Sequence, residues 1–266
     1  MIATPDRSEG LHTTTYGDGG SLIVFCHGLF GQGKNWTQAG KALASDHRVL
    51  LADMPHHGRS AWADEFDYLS AADEVAGLLD SNDPVALVGH SMGGKIAMLV
   101  ALRHPELVER LCVVDVSPVA YEHGDEFRGY IDAMQALDLD RLERRADADE
   151  ALTEAVPNRT VRSFFLQNLR RDGDSWAWQV NLSVLGRDLD QLSGWPADRI
   201  ESAASYDSPV LWIAGETSHY VQDEYAEAMD RLFPKNRRVT IKGAGHWVHS
   251  EQPEVFLEVL RRFVDA

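Results

Sequence analysis

Short apolar runs rich in β-branched residues alternate with helical patterns over the first 118 residues. The apolar runs lie at residues 21–26, 48–53, 84–89 and 110–116. Each run is apolar without a break, which is typical of a strand covered on both faces. One helical pattern starts at Ser70 and Asp73, which resemble a capping box, and another covers residues 92–103. The alternation predicts a doubly wound, mostly parallel α/β sheet with right-handed connections.

The pattern changes after the fourth run, and no strand-like run follows between residues 118 and 208. Helical patterns cover residues 127–137, 140–156, 161–170 and 182–192 instead. Strand and helix then alternate again, with strands at 209–214 and 237–242, a helix at 222–233 and a last helix opened by Pro253. We therefore expect a core domain of residues 1–118 and 209–266. A helical cap, residues 119–208, would be inserted after the strand that ends near Val116.

Composition limits the class of protein. A chain of 266 residues with 44% apolar content can bury a large core without disulfides. Its two cysteines, Cys26 and Cys112, lie inside apolar runs and are interpreted as core residues. The first six residues have neither the basic nor the apolar region of a signal peptide, and no stretch has the length of a membrane span. We expect a cytoplasmic protein.

The charge excludes some partners. The sequence has 42 acidic against 25 basic residues, a formal net charge of −17. This charge repels phosphate backbones and anionic lipid surfaces, so we expect no nucleic-acid or membrane partner. A small-molecule substrate and a monomer or homodimer remain the expectation.

Residues 89–93, with the sequence Gly-His-Ser-Met-Gly, lie between a predicted strand and a predicted helix. A serine on such a sharp strand-to-helix turn projects its hydroxyl from the carboxyl edge of the sheet, and small residues on both sides let the turn close. Ser91 is therefore the candidate nucleophile. The amide of Met92, at the start of the helix, would lie beside a developing oxyanion.

Three further motifs extend this picture. Residues 27–31 read His-Gly-Leu-Phe-Gly, residues 53–60 read Asp-Met-Pro-His-His-Gly-Arg-Ser, and residues 243–247 read Gly-Ala-Gly-His-Trp. With these motifs, the sequence resembles the α/β-hydrolase fold enzymes over nearly its whole length, and most closely the YbfF-like bacterial carboxylesterases. His56 stands where the family more often has glycine. The resemblance implies an oxyanion-hole loop at 27–31 and a catalytic-histidine loop at 243–247.

A serine hydroxyl needs an adjacent imidazole to accept its proton. Among 11 histidines, His246 has the expected position after the last strand, in the chain order Ser, acid, His. Many family members have the acid after the strand at 209–214, but Ser218 stands there in this sequence. Resemblance to the YbfF-like group implies Asp115, at the end of the preceding strand, and Glu216 is the rival acid.

The remaining expectations concern the oxyanion hole and the pocket. The amide of Leu29 is expected to act with that of Met92 as an oxyanion donor. Asp53 and Arg59 are expected to hold their loop through a charge-assisted hydrogen bond. The residues expected to line the substrate pocket are Phe30, Tyr121, Trp178, Leu182, Tyr220 and Trp247.

These features predict a cofactor-free carboxylesterase-type serine hydrolase that cleaves carboxylic esters or thioesters of small to medium acyl chains through an acyl-enzyme. The same triad leaves open carbon–carbon bond hydrolysis, lyase chemistry and perhydrolysis of the haloperoxidase type. A non-catalytic small-ligand receptor is the alternative from another class. A metal site drawn from Asp53, His56 and His57 lacks helical ligand spacing, so we expect no metal.

Overall fold

The computed structural model describes residues 10–121, 124–200 and 204–266. The expectation drawn from the first six residues therefore lies outside the described residues. The strands are β1 (Thr13–Tyr16), β2 (Leu22–Cys26), β3 (Arg48–Ala52), β4 (Val85–His90), β5 (Val108–Val114), β6 (Leu169–Asp172), β7 (Ser175–Trp178), β8 (Val210–Gly215) and β9 (Asn236–Ile241). Seven of them form one sheet in the order β1-β3-β2-β4-β5-β8-β9.

The helices lie between and around these strands. They are α1 (Thr37–Leu43), α2 (Tyr68–Ala76), α3 (Met92–Arg103), α4 (Gly124–Gln135), α5 (Arg145–Ala151), α6 (Arg159–Leu166), α7 (Leu182–Arg187), α8 (Leu189–Ser193), α9 (Ala226–Leu232), α10 (Val248–Glu251) and α11 (Pro253–Val264). In the described residues, no helix is long and apolar enough to cross a membrane.

Helices cover both faces of the sheet. In β2, Val24 belongs to one apolar cluster with Ile96 of α3, whereas the adjacent Phe25 belongs to a second cluster with Leu260 of α11. Successive strand residues point to opposite faces, so the two clusters are the two faces of the sheet. The predicted doubly wound, mostly parallel sheet is confirmed, and all six predicted strands are found within two residues of their expected ends.

Two predictions about the elements were incomplete. The edge strand β1 was not predicted; it pairs antiparallel with β3, with Thr13 opposite Ala52. The expectation of no strand between residues 118 and 208 was wrong, because β6 and β7 form an antiparallel hairpin there. These strands have only four residues each, too few for a periodic pattern to separate them from loop.

Helix α2 begins earlier than predicted. Its N-cap is Asp67, whose side chain accepts a hydrogen bond from the Ser70 amide. Ser70 is therefore the third residue of the helix and not its cap. The signal was present as a carboxylate three residues before Ser70, because aspartate is among the preferred N-caps.

The segment between β5 and β8, called the β5–β8 segment below, contains α4 to α8 and the hairpin. It is joined to the rest of the chain by buried side-chain hydrogen bonds. The Tyr68 hydroxyl donates to the carbonyl of Leu192 at 2.8 Å, and Asp188 accepts from the Phe66 amide at 2.8 Å. These bonds hold α8 and its N-cap against the start of α2.

Candidate active site

Ser91 lies on the turn between β4 and α3. Its backbone has φ 53° and ψ −120°, a conformation that costs a non-glycine residue energy. The turn holds because the Ser91 amide donates to the carbonyl of Val114 at 3.0 Å. A Cβ on Gly89 would lie 2.2 Å from the carbonyl oxygen of Gly93, so this close turn requires glycine there. The local sequence thus fixes the backbone under the hydroxyl.

Three side chains predicted to act together lie in hydrogen-bonding distance. Nε2 of His246 is 3.1 Å from Oγ of Ser91, and Nδ1 of His246 is 2.7 Å from Oδ2 of Asp115. The carboxylate at Nδ1 favours the tautomer with hydrogen on Nδ1, which leaves Nε2 as an acceptor facing the serine. This arrangement can draw a proton from Ser91.

The carboxylate of Asp115 is held from several sides. The residue is 0% exposed, and its φ of 53° turns the chain sharply after β5. Its Oδ1 accepts from the Gly215 amide at 2.9 Å, and its Oδ2 accepts a short hydrogen bond from the Ser218 hydroxyl. Donors of this kind fix the orientation of the carboxylate toward His246.

Glu216, the rival acid, lies elsewhere. Its side chain is exposed, and Oε2 accepts a hydrogen bond of 2.9 Å from the amide of Gly243. It thereby supports the loop that carries His246. The structure thus brings Asp115, and not Glu216, to the imidazole.

The loop with Leu29 approaches Ser91 from β2. Within the described ranges, no hydrogen bond occupies the amides of Leu29 and Met92. Phe30 follows with φ 61°, and its amide donates to Nε2 of His57 at 3.1 Å. Its carbonyl accepts from the side-chain amide of Asn168 at 2.7 Å, and Asn168 is 0% exposed. Two unoccupied amides beside a nucleophile can serve as oxyanion donors.

Buried neutral histidines support this loop. Nδ1 of His27 donates to the Gly28 carbonyl at 2.8 Å while Nε2 accepts from the Met54 amide at 2.9 Å. His57 has the same arrangement, donating from Nδ1 to the Pro55 carbonyl at 2.8 Å. Burial lowers the pKa of His27 to about 4 and that of His57 to about 3. Both rings are therefore uncharged at neutral pH, and they stabilise the loop through hydrogen bonds.

His90 and His249 lie behind His246. Nε2 of His90 donates to the backbone carbonyl of His246 at 2.8 Å and so positions its loop. The ring of His249 stacks on Trp36 with centroids 4.2 Å apart. Burial holds the pKa of His90 well below its usual range and lowers that of His249 to about 3. Neither competes with His246 as a base facing Ser91.

The comparison with protein families identifies the family to which this fold belongs. A family model described as the alpha/beta hydrolase fold matches residues 21–253. The chain belongs to the α/β-hydrolase family. Three motifs quoted from the sequence, around Leu29, Ser91 and His246, all lie within the matched residues.

Individual relatives support the same family. The chain is 38% identical to the sn-1-specific diacylglycerol lipase ABHD11 of Mus musculus, over 91% of this chain and 80% of that protein. It is 32% identical to the esterase YbfF of Escherichia coli, over 92% and 93% of the two chains. A solved structure described as a marine microorganism esterase has a TM-score of 0.91 and 30% identity, over 96% of this chain and 100% of that one. The resemblance to YbfF-like esterases is confirmed.

A small cavity opens at Ser91 of this α/β hydrolase. Its volume is about 50 Å³, and it lies between the core and the β5–β8 segment. Tyr121 and Tyr220, both predicted to line the pocket, are among its walls, and the Tyr220 ring lies 4.2 Å from that of His246. The other walls are Leu29, Tyr68, Ser91, Met92, Lys95, Val116, Phe127, Leu189, Leu192 and Ser193.

Four residues predicted to line the substrate pocket do not line this cavity. Phe30 packs against Phe165, and the indole N–H of Trp178 donates to the carbonyl of Met134 at 3.2 Å. Leu182 is buried at the start of α7. The position of these residues in the sequence indicated the loop near which each one lies. It did not indicate the direction of each side chain.

Trp247 lines a second, larger cavity of about 450 Å³. Trp36, Phe164 and His249 form other walls, and Ser91, His246 and Asp115 are not among them. Of these two cavities, the smaller one is lined by Ser91.

The loop at residues 53–60 is held differently from the prediction. The Asp53 carboxylate accepts from the amides of Gly33 at 2.7 Å and Arg59 at 3.0 Å, so the backbone and not the guanidinium of Arg59 is its partner. His56 has φ 66°, in the left-handed region that glycine adopts most readily. No cluster of three metal-ligating side chains occurs in the described part of the chain.

Three contributors to the site were not predicted: Lys95, Asn168 and Ser218. Lys95 follows Ser91 by one helical turn, and that spacing was a readable signal. Ser218 was noted only as a departure from the common acid position, yet its hydroxyl binds the Asp115 carboxylate. Asn168 is 138 residues from Phe30, and no local pattern relates the two.

Proposed function

We propose that this α/β hydrolase is a serine esterase that cleaves carboxylic esters or thioesters, with Ser91 as nucleophile, His246 as general base and Asp115 as acid. The observation that carries the proposal is the position of His246. One of its ring nitrogens faces the Ser91 hydroxyl at 3.1 Å and the other faces the Asp115 carboxylate at 2.7 Å. The names of the esterase and lipase relatives support the same chemistry.

Acylation begins at Oγ of Ser91. Nε2 of His246 accepts the hydroxyl proton as Oγ attacks the acyl carbonyl, and the amides of Leu29 and Met92 bind the oxyanion of the tetrahedral intermediate. Asp115 stabilises the imidazolium. His246 then protonates the leaving alcohol or thiol, which leaves the acyl group on Ser91.

Deacylation repeats these steps with water. His246 removes a proton from the water, which attacks the acyl-enzyme carbonyl, and the same two amides bind the second oxyanion. Collapse of this intermediate releases the acid and returns the proton to Ser91. His246, Asp115 and the two amides thus act twice in each turnover.

We propose further that residues 119–208 form a cap over the site. The side chains of Asn168 and Asp188, both from this segment, bond to backbone groups of the core at Phe30 and Phe66. Leu189, Leu192 and Ser193 supply one wall of the cavity at Ser91. The acyl group would lie between this wall and α3.

Hydrolysis of p-nitrophenyl esters from acetate to dodecanoate tests the esterase proposal. We expect turnover that favours short chains, because the cavity at Ser91 is only about 50 Å³. Ser91→Ala should lower kcat by about 10⁴-fold or more, since triad members act as a unit. Ser163→Ala, an exposed serine on α6, is the matched control and should retain activity. Folded protein without turnover on any ester would overturn the proposal.

A further inference from the structure

Lys95 is a buried cation beside the nucleophile. It lies four residues after Ser91, the N-cap of α3, and its amide donates to the Ser91 carbonyl at 3.0 Å. Lys95 is only 2% exposed, and it lines the same cavity as Ser91. The proposed mechanism uses no group on this side chain.

The partners of Lys95 are dipoles and ring faces. Nζ donates to the carbonyl oxygens of Ser193 at 2.9 Å and Gly194 at 2.5 Å. It also lies 4.8 Å from the ring centroid of Tyr121 and 5.7 Å from that of Tyr68. Among the described residues, no carboxylate forms an ion pair with it. Burial lowers the pKa of Lys95 to about 7.

Burial of an ammonium group without a counter-charge is unfavourable, because the group loses its hydration free energy. An anion that enters the site offsets part of this loss. Two of the three ammonium hydrogens are used by the carbonyls of Ser193 and Gly194, so one donor is left for a ligand. The other cavity walls, such as Leu29, Val116 and Phe127, are mostly apolar. Lys95 is the sole cation among the residues that line this cavity.

The size of the cavity limits the ligand. A cavity of about 50 Å³ favours a short acyl chain over a long one. Ser91 and Lys95 line the same cavity, and four residues correspond to an advance of about 6 Å along a helix. A chain of two or three carbons beyond the reacting carbonyl covers that distance.

We propose that Lys95 determines the specificity of the site, and that its ammonium binds the terminal carboxylate of a short dicarboxylic half-ester whose other end is attacked by Ser91. This inference rests on the proposed esterase function. The net charge of −17 does not oppose it, because charges beyond about 10 Å are screened by salt whereas a buried contact is not.

Two nearly isosteric methyl esters test the proposal. Monomethyl succinate carries a terminal carboxylate, and methyl 4-methylpentanoate carries an isopropyl group of similar shape in its place. Release of methanol gives kcat/KM for each ester. For the wild-type protein we expect monomethyl succinate to be preferred by about tenfold or more, the effect of a hydrogen bond between charged groups. Lys95→Met should abolish or reverse the preference, and Lys95→Arg should retain part of it.

Lys34→Met is the matched control. Nζ of Lys34 also donates to a carbonyl of the β5–β8 segment, that of Gln167 at 3.3 Å, but Lys34 does not line the cavity at Ser91. We expect this variant to keep the wild-type preference. The comparison of the two esters with the wild-type protein remains decisive even if Lys95→Met does not fold.

The outcomes separate the two proposals. A wild-type protein that hydrolyses p-nitrophenyl butyrate but shows no preference for monomethyl succinate overturns the role of Lys95 and leaves the esterase proposal intact. A preference that survives in folded Lys95→Met also overturns it. Absence of turnover on all three esters contradicts the esterase function itself.

Discussion

The side-chain amide nitrogen of Asn168 lies 2.7 Å from the carbonyl oxygen of Phe30, although the two residues are 138 positions apart. The same nitrogen donates to the carbonyl of Phe165 at 3.2 Å, and Oδ1 accepts from Nε2 of Gln32 at 2.7 Å. A single buried carboxamide thus joins the β5–β8 segment to the loop that carries Leu29. It holds the Phe30 carbonyl, which lies two peptide units along the chain from the proposed oxyanion donor, the Leu29 amide.

Asn168→Ala should therefore affect both stability and catalysis. It leaves buried partners without a hydrogen bond, at about 1–3 kcal/mol for each group. We expect the free energy of unfolding in urea to fall by about 3 kcal/mol. Displacement of the Leu29 amide should lower kcat for p-nitrophenyl butyrate by about tenfold, with a smaller change in KM, because this donor acts mainly in the transition state.

Asn35→Ala is the matched control for Asn168→Ala. The Asn35 carboxamide also bonds to the β5–β8 segment, through Oε1 of Gln167 at 2.8 Å, but it does not contact the peptide of Phe30. We expect it to keep kcat within about threefold. Loss of stability without loss of kcat in Asn168→Ala would mean that Asn168 has a structural role alone.

The two candidate acids can be separated by isosteric amides. Asp115→Asn should lower kcat by about 10⁴-fold, because an amide at this position favours the wrong tautomer of His246. Glu216→Gln should stay within a few-fold of the wild-type protein, since the Glu216 carboxylate accepts from the amide of Gly243 and a glutamine oxygen can accept the same bond. Initial rates with p-nitrophenyl butyrate measure both. Collapse of activity in Glu216→Gln alone would contradict the assignment of Asp115.

Buried histidines should make the fold sensitive to acid. The pKa of His57 is about 3 in the folded protein against 6.5 for an exposed histidine, so the unfolded chain binds its proton first as pH falls. Stability is therefore complete above pH 6.5 and is lost as pH falls toward 3. At pH 4.5 this one group should cost about 2–3 kcal/mol.

Urea unfolding of the wild-type protein and His57→Gln at pH 7 and 4.5 checks this prediction. Glutamine can still accept from the Phe30 amide through its oxygen, but it does not titrate. The variant should be less stable at pH 7, and the difference should shrink or change sign at pH 4.5. A difference that is the same at both pH values would show that His57 does not titrate in this way.

Much of this arrangement could be predicted from local patterns. Ser91 was identified because a strand, a tight turn with small residues and a helix follow one another within about 20 residues, and such an order depends on neighbours in the chain. His246 was identified by its place after the last strand. Asp115 needed the resemblance to a family, because an aspartate before a proline has several ordinary explanations.

Other features depended on distant parts of the chain. The orientation of Trp178 toward Met134, and of Trp247 toward the larger cavity, is set by how the β5–β8 segment packs. The bond from Ser218 to Asp115 joins loops after two neighbouring strands. No periodicity predicts such contacts, since they depend on packing between elements far apart in sequence.

The sequence by itself determined the parallel sheet and the turn at Ser91, because apolar runs and small residues restrict the backbone locally. Only the tertiary structure decided that Asp115 and not Glu216 meets His246, that Asn168 binds the Phe30 carbonyl, and that Lys95 is buried in the cavity at Ser91. The physical reason is distance along the chain. A side chain's direction and its dielectric surroundings are set by residues that only folding brings near.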